Sequence, residues 1–307
     1  HEPRRPLAPV ALAAPPGVDG GERCFEPAEL AAGARRWGLA VQLYSLRSAT
    51  NWGIGDFADL AALVRRAAAA GADFVGLNPL HALFAADPAH CSPYSPSSRH
   101  ALNVLDIAVE CVPGWDDCEA VRAAVGEPAF QRELARLRAL DAVDSAGGAR
   151  LKLPVLRMLH AHFRRAQAGT GSGPRLEFEA FVAERGEMLQ RHALFEALDE
   201  LLRTQREAEG GWLSWPEAYR DPEGRVVTAF ARSAARRVEF HAWLQWLADR
   251  QLAAAAAAAR DAGMGIGLYG DSAVGVNAGG SEAWAQQHVY RLGAAIGAPP
   301  DALALKG

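Results

Sequence analysis

The fold class is indicated most clearly by residues 39–78, LAVQLYSLRSATNWGIGDFADLAALVRRAAAAGADFVGLN. Its apolar beginning, Leu39–Leu46, predicts a strand, and Asp73–Asn78 predicts a second one. Between them, Asp56 is suited to cap a helix that continues to about Ala70 with a single apolar stripe. A strand, a helix and a strand in this order predict two parallel strands joined by a right-handed crossover.

Downstream of this unit the sequence predicts helices before the sheet resumes. Val104–Val109 is a candidate for a further short strand, and the pattern is then helical from about 112 to 260. Within it, Trp243 and Trp246 lie on one helical face, which favours core packing over a ligand platform. Gly263–Tyr269 returns to strand. The sequence therefore predicts an α/β fold with three parallel strands and a large helical insertion between the second and the third.

Composition excludes several classes of function. The chain has 307 residues, 50% of them hydrophobic, and a net charge of −4 without long charge runs, so it lacks the basic patch of a nucleic-acid-binding protein. No apolar run reaches the ~18 residues of a membrane span. Arginine is far commoner than lysine in this chain. Codon bias explains this excess, so no single arginine is assigned a function from the sequence. The cysteines, which form no CxxC pair, favour a reduced, cytoplasmic setting: Cys24, Cys91, Cys111 and Cys118.

Two further patterns have simpler explanations than the sites they resemble. Residues 53–58, GIGDFA, match a dinucleotide-binding fingerprint, but Asp56 would place a carboxylate where a pyrophosphate must sit. His160 and His162 belong to a helical segment in which residues two apart point in different directions, so they are not expected to share a metal.

Polar and aromatic residues follow the predicted strands and indicate a binding face. The segment SPYSPSSR, residues 92–99, contains two prolines that restrict the backbone, and Tyr94 offers both a stacking surface and a hydroxyl group. Asp271 stands at the end of the third strand. Because parallel strands present ligands at their carboxyl ends, these residues predict a sugar-binding face. An ordinary surface loop for residues 92–99 and a turn or capping role for Asp271 remain alternatives.

Several ordered motifs resemble the 4-α-glucanotransferase family, the bacterial amylomaltases of glycoside hydrolase family 77. The resemblance covers about Trp37 to Gly307. It rests on QLYSLRS at 42–48, NWGIGDFADL at 51–60, GLNPLHALF at 76–84, SPYSPSSR at 92–99 with LN at 102–103, AVGV at 273–276 and GAPPD at 297–301.

The resemblance implies a partial (β/α)8 TIM barrel and a retaining double displacement. In that reaction an α-1,4-glucan segment passes through a glucosyl-enzyme ester to the 4-hydroxyl of glucose or of another glucan. The expected partners are maltooligosaccharides and glucose, with no cofactor, metal, nucleic acid or membrane. Residues 37–307 would form the first part of the barrel, and residues 1–36 a Pro/Ala/Gly-rich linker or the end of an upstream domain.

The resemblance also assigns roles to individual residues. Tyr94 resembles the family's sugar-stacking tyrosine, with Ser92 beside it in the motif, and Asp271 resembles the acid at the end of the third barrel strand. Asp301 begins a loop that arches over the cleft. The sequence departs from the family at Gly270 and Ser272, where the family commonly has Arg and Leu, and at residues 302–305, where it usually has Phe or Asn.

The family's catalytic carboxylates belong to the fourth, fifth and seventh strands. They are expected beyond Gly307, so the chain is expected to be truncated before the fourth strand, to hold no catalytic residue and to be inactive alone. An α-amylase-like hydrolase and a non-catalytic glucan-binding protein remain alternatives.

Overall fold

The structure is a computed structural model that describes residues 33, 35–166, 173–205 and 211–294. The chain divides into two units, His1–Trp37 and Gly38–Gly307, and every element below belongs to the second. The predicted linker at residues 1–36 lies outside the described residues except at three positions near its end: Gly33, Arg35 and Arg36.

Three short parallel strands form the central sheet in the order β1–β2–β5. Strand β1 is Gly38–Val41, β2 is Phe74–Leu77 and β5 is Gly267–Gly270. The register places Leu39 opposite Val75 and Val75 opposite Leu268. The predicted α/β class and the three parallel strands are therefore confirmed.

The first strand is shorter than predicted. It ends at Val41, and Leu43–Ser45 form a 3₁₀ helix. The Asn78 carboxamide oxygen accepts a hydrogen bond from the backbone N–H of Leu43 at 2.8 Å, which satisfies that donor outside the sheet. The chain therefore leaves the sheet earlier than its apolar pattern predicts.

Helix α1, Phe57–Ala69, begins at its predicted cap. The Asp56 carboxylate accepts hydrogen bonds from the N–H groups of Ala58 and Asp59, and the Asp59 carboxylate accepts one from the backbone N–H of Asp56. The glycine of the preceding turn is required for close packing, because a Cβ on Gly55 would lie 2.0 Å from the Leu43 carbonyl oxygen. These contacts give Gly55 and Asp56 a structural role.

A small antiparallel hairpin was missed by the sequence prediction. Strand β3, His81–Ala82, pairs with β4, Ser98–Leu102, so part of the predicted proline loop is a strand. The strand predicted at Val104–Val109 was wrong. Two 3₁₀ helices, Val104–Asp106 and Val109–Cys111, occupy that segment.

Helices fill the chain between β4 and β5. They are α2 Glu119–Gly126, α3 Pro128–Arg138, α4 Ser145–Ala166, α5 Pro174–Thr204 with a break at Gly186, a 3₁₀ helix Gly211–Ser214, α6 Glu217–Arg220, α7 Arg225–Ser233 and α8 Ala235–Asp261. Helix α9, Ser281–Ala285, follows β5. Helix α8 packs against both α1 and α5. Trp243 and Trp246 are buried in the core, which confirms their predicted role.

Candidate functional site

The carboxyl ends of the three parallel strands are joined by backbone and side-chain hydrogen bonds. Asn78 links the end of β2 to the segment after β1 through its bond to Leu43. Its amide nitrogen donates to the carbonyl of Pro79 at 2.8 Å, which fixes the orientation of the side chain. The N–H of Asp271 donates to the carbonyl of Leu77 at 3.1 Å. Residues that follow these strands are therefore held at one edge of the sheet.

Tyr94 and Asp271, which sequence analysis placed on one binding face, are in direct contact. The Tyr94 hydroxyl donates a hydrogen bond to the Asp271 carboxylate at 3.3 Å. Tyr94 is 62% exposed, so its ring remains accessible to a ligand. Partial desolvation, together with the neighbouring Asp271 carboxylate, raises the pKa of the Tyr94 phenol. At neutral pH the pair therefore presents a neutral hydroxyl and an exposed carboxyl group.

The loop that carries Tyr94 is held by the segment after β5. The N–H of Ser95 donates to the Ser92 carbonyl at 3.2 Å and closes a turn around Tyr94. The N–H of Asn277 donates to the Pro96 carbonyl at 2.8 Å, and its side-chain amide donates to the Ser95 hydroxyl at 3.1 Å. The two loops therefore hold each other in place before any ligand arrives.

Further bonds between these loops cluster at Ser97. The N–H of Ser281 donates to the Ser97 hydroxyl at 2.9 Å, and the N–H of Glu282 donates to the Ser97 carbonyl at 3.0 Å. A Cβ on Gly280 would lie 2.5 Å from that carbonyl oxygen, so only glycine allows this approach.

Glu282 anchors the end of the proline loop. Its carboxylate accepts hydrogen bonds from the backbone N–H of Arg99 at 2.6 Å and from the Arg99 guanidinium at 2.9 Å, and it also accepts one from the Tyr290 hydroxyl. Burial alone would raise the pKa of Glu282, but these bonds hold it below its usual value. Glu282 was not predicted from the sequence, and Arg99, which bonds to both loops, received no functional weight because arginines are abundant in the chain.

His81 supports the turn that carries Asp271. Its Nε2 accepts a hydrogen bond from the backbone N–H of Ala273 at 3.2 Å and lies 3.5 Å from the Ser272 hydroxyl. Burial lowers the pKa of His81, and the nearby Arg99 lowers it further, so the imidazole is neutral and can accept this bond. The turn is thus supported although Gly270 and Ser272 depart from the family pattern.

Of the other two predicted site residues, the structure describes only Ser92. Ser92 is exposed and lines the mouth of a cavity of about 590 Å³ that extends from the strand ends toward α5 and α8. Asp301 lies outside the described residues. Within residues 35–166, 173–205 and 211–294, no group of three or more His, Cys, Asp or Glu side chains could hold a metal ion.

Comparison with known proteins identifies the family. A sequence model of the family described as 4-alpha-glucanotransferase matches residues 41–307. The chain belongs to the 4-alpha-glucanotransferase family. A 4-alpha-glucanotransferase from Haemophilus influenzae is 39% identical over 270 residues, which cover 87% of this chain and 39% of that protein.

Solved structures agree with this family assignment. The crystal structure of amylomaltase from Corynebacterium glutamicum is 32% identical, with a TM-score of 0.70 over 90% of this chain and 35% of that one. Amylomaltase from Streptococcus agalactiae in complex with acarbose, at 20% identity and a TM-score of 0.64, supports the fold alone. It covers 84% of this chain and 47% of that one.

This 4-alpha-glucanotransferase family member spans less than half the length of the relatives named above. Among its described helices, none is long and apolar enough to cross a membrane. Of its cysteines, Cys91, Cys111 and Cys118 are free thiols, and Cys24 lies outside the described residues.

Proposed function

We propose that the chain provides a sugar-binding face of a 4-α-glucanotransferase, with Tyr94 stacking on a glucosyl unit and Asp271 accepting hydrogen bonds from its hydroxyls. The contact between Tyr94 and Asp271 carries this proposal, because it places an exposed ring and a carboxyl group together at the ends of parallel strands. Ser92 and Asp301 are proposed to contribute to the same glucan-binding cleft.

The reaction we propose for the whole protein is a retaining double displacement. A carboxylate displaces the leaving glucan and forms a glucosyl ester, while a carboxylic acid protonates the departing oxygen. The 4-hydroxyl of glucose or of another maltooligosaccharide then attacks the glucosyl ester and releases the nucleophile as a carboxylate, while its proton passes to the residue that had protonated the leaving glucan. We propose that these carboxylates lie outside the 307 residues, that the sheet is part of a (β/α)8 barrel with an insertion at about 112–260, and that the protein acts in the cytoplasm.

Binding of maltotriose to the 307-residue chain tests the proposed face. Tyr94→Ala should weaken the affinity by about tenfold, because the stacking surface is lost. Tyr94→Phe should retain most of it, because the ring remains. Tyr269→Ala is a matched control, because it removes another tyrosine with a similar exposed fraction, 65%. Equal affinities of the wild type and the Tyr94→Ala variant would refute the proposed role of Tyr94.

Incubation of the whole protein with maltotriose tests the reaction. Transfer should release glucose and also yield oligosaccharides longer than the substrate. Shorter products alone would indicate a hydrolase of the α-amylase type, and an unchanged substrate would indicate a glucan-binding protein without catalysis. Either of those results contradicts the proposed transfer.

A further inference from the structure

His192, on helix α5, is bonded to the segment that joins the two loops of the candidate site. Its Nδ1 lies 2.8 Å from the hydroxyl of Ser281, the first residue of α9. The two side chains are almost fully buried, since the residues are 6% and 1% exposed. The Ser281 hydroxyl also donates to the Ser97 carbonyl at 3.4 Å and lies 3.2 Å from the Ser97 hydroxyl. A buried chain of hydrogen bonds therefore connects α5 with the end of the loop that carries Tyr94.

The hydrogen bonds around His192 determine which of its ring nitrogens carries the proton. Gln245, on α8, accepts from the N–H of Leu102 at 2.8 Å and donates to its carbonyl at 2.9 Å, which fixes the orientation of the Gln245 amide. The amide nitrogen therefore faces the Nε2 of His192, at 3.5 Å, as a donor. Because a neutral imidazole has one acceptor nitrogen and one donor nitrogen, Nε2 accepts and the Nδ1–H donates to Ser281. Burial lowers the pKa of His192 to about 3, so the ring is neutral at physiological pH.

Tyr94 and Asp271 are held in place by different elements. The N–H of Asp271 donates to the carbonyl of Leu77 at 3.1 Å, so this residue is fixed to the sheet. The loop of Tyr94 is fixed to the start of α9, because the Ser97 hydroxyl accepts a hydrogen bond from the N–H of Ser281 at 2.9 Å. The position of Tyr94 relative to Asp271 therefore depends on where the start of α9 lies relative to the sheet.

Apolar contacts bring α5 and α9 together, and the bond between His192 and Ser281 fixes how they meet. Phe195, one turn beyond His192, packs against Trp284, one turn beyond Ser281, with ring centroids 5.8 Å apart. Both rings are fully buried. Apolar burial is non-directional, whereas a hydrogen bond requires two particular atoms to meet at a defined distance and angle. The bond at His192 therefore selects one arrangement of the two helices.

We propose that His192 is a positioning residue of the candidate site, which sets the contact between Tyr94 and Asp271 by fixing the start of α9. Ser281 and Gln245 face its two ring nitrogens, so His192 acts through Ser281 and not by bonding to a ligand. The expected effect on sugar binding rests on the proposed function, whereas the expected effect on the contact between Tyr94 and Asp271 does not.

Substitution of His192 in the full 307-residue chain tests this role. In the wild type, an NMR cross-peak from the nuclear Overhauser effect should connect the Tyr94 ring with the β protons of Asp271, because the two side chains are in contact. His192→Leu should remove this cross-peak and weaken the affinity for maltotriose by about fivefold, because one buried hydrogen bond is lost. His192→Asn should retain both, because its amide can donate to Ser281 from the place of Nδ1.

His160→Leu is the matched control. His160 is also 6% exposed, but its Nε2 is bonded to Glu239 of α8 at 3.2 Å and not to α9. This variant also loses a buried hydrogen bond, yet it should leave the cross-peak and the affinity unchanged. Ser281→Ala tests the same bond from the other side, because it removes the hydroxyl and keeps the N–H that bonds to Ser97. It should reproduce the effects of His192→Leu, and it decides the test if His192→Leu does not fold.

Three results would overturn the proposed role of His192. They are an intact cross-peak in Ser281→Ala, a loss of the cross-peak in His160→Leu, and equal losses in His192→Asn and His192→Leu. The proposed function can fail separately. If maltotriose does not bind the wild type, but the cross-peak responds to these substitutions as expected, the sugar-binding proposal is wrong and the positioning role stands.

Discussion

Lys152 shows how one buried side chain organises the segment before the helices. Its ammonium donates hydrogen bonds to the carbonyls of Leu105 at 2.6 Å and Ile107 at 3.0 Å. Asp56 and Asp106 are close enough to interact with this charge. Burial raises the pKa of Asp106 to about 7, and Lys152 opposes that rise. Lys152 thus connects the cap of α1 with the 3₁₀ helices.

Replacing Lys152 by methionine should destabilise the protein strongly. We expect Lys152→Met to lower the free energy of unfolding by about 3–5 kcal/mol, because two buried carboxyl groups and two carbonyls lose their cation. Arg150→Met is a suitable control, since the Arg150 side chain is 65% exposed and should change stability by less than about 1 kcal/mol. Urea denaturation at pH 7 measures both. Similar losses in the two variants would contradict the proposed importance of burial.

Among the elements, helix α8 holds the segment from β4 to the 3₁₀ helices through two glutamine side chains that bond to its backbone. Gln245 accepts from the N–H of Leu102 at 2.8 Å and donates to its carbonyl at 2.9 Å. Gln251 forms the same pair of bonds with Ala108, at 2.8 Å and 3.0 Å. Because a side-chain amide presents an N–H donor beside a carbonyl acceptor, one glutamine can bond to both the N–H and the C=O of a single residue.

Removing either glutamine should loosen the segment it holds. We expect Gln245→Leu to lower the free energy of unfolding by about 1–3 kcal/mol, because a backbone donor and acceptor lose their partners. Hydrogen exchange should accelerate at the Leu102 amide in this variant, and at the Ala108 amide in Gln251→Leu. Gln190→Leu, at an exposed helical position, should leave both amides protected. Unchanged exchange at Leu102 in Gln245→Leu would show that other contacts hold β4.

These contacts also explain which elements could be predicted from the sequence. Asp56 and the apolar stripe of α1 identified the helix, because a cap and its first turn are adjacent in the sequence. The hairpin was not predictable in this way, because β3 has only two residues and Leu102 of β4 is also held by Gln245, on a helix far along the chain. The run Val104–Val109 has the composition of a strand, but Asn103 caps a 3₁₀ helix there through its bond to the N–H of Leu105 at 3.2 Å. At Val104–Val109 the side-chain cap formed by Asn103 therefore outweighed the strand propensity of the apolar run.

The candidate site likewise contains some residues that could be predicted from the sequence and others that could not. Tyr94 and Asp271 were predictable together because parallel strands align their carboxyl ends, so two residues placed after two strands meet at one edge. Glu282 and His81 were not, because nothing near them in the sequence indicates that they bond to Arg99 and Ala273. The sequence therefore identifies the residues of the proposed binding face more readily than the residues that hold them in place.

At the scale of the whole molecule, the central sheet has two unpaired edges among the described residues. Neither β1 nor β5 pairs with another described strand on its outer side. Ile266 and Tyr269, at the β5 edge, are exposed large apolar side chains. A parallel sheet is normally covered on its faces and continued at its edges, so this arrangement supports the proposal that further strands complete it in the whole protein.

The completeness of that sheet should decide whether the chain can catalyse transfer. We expect the purified 307-residue chain to release no glucose from maltotriose above the blank, because the proposed nucleophile and acid belong to strands outside it. The whole protein under the same conditions is the positive control, and circular dichroism verifies that the chain is folded. Glucose release that follows the concentration of the chain, and that disappears in Asp271→Asn, would place the catalytic carboxylates within these residues and overturn the proposed division of the barrel.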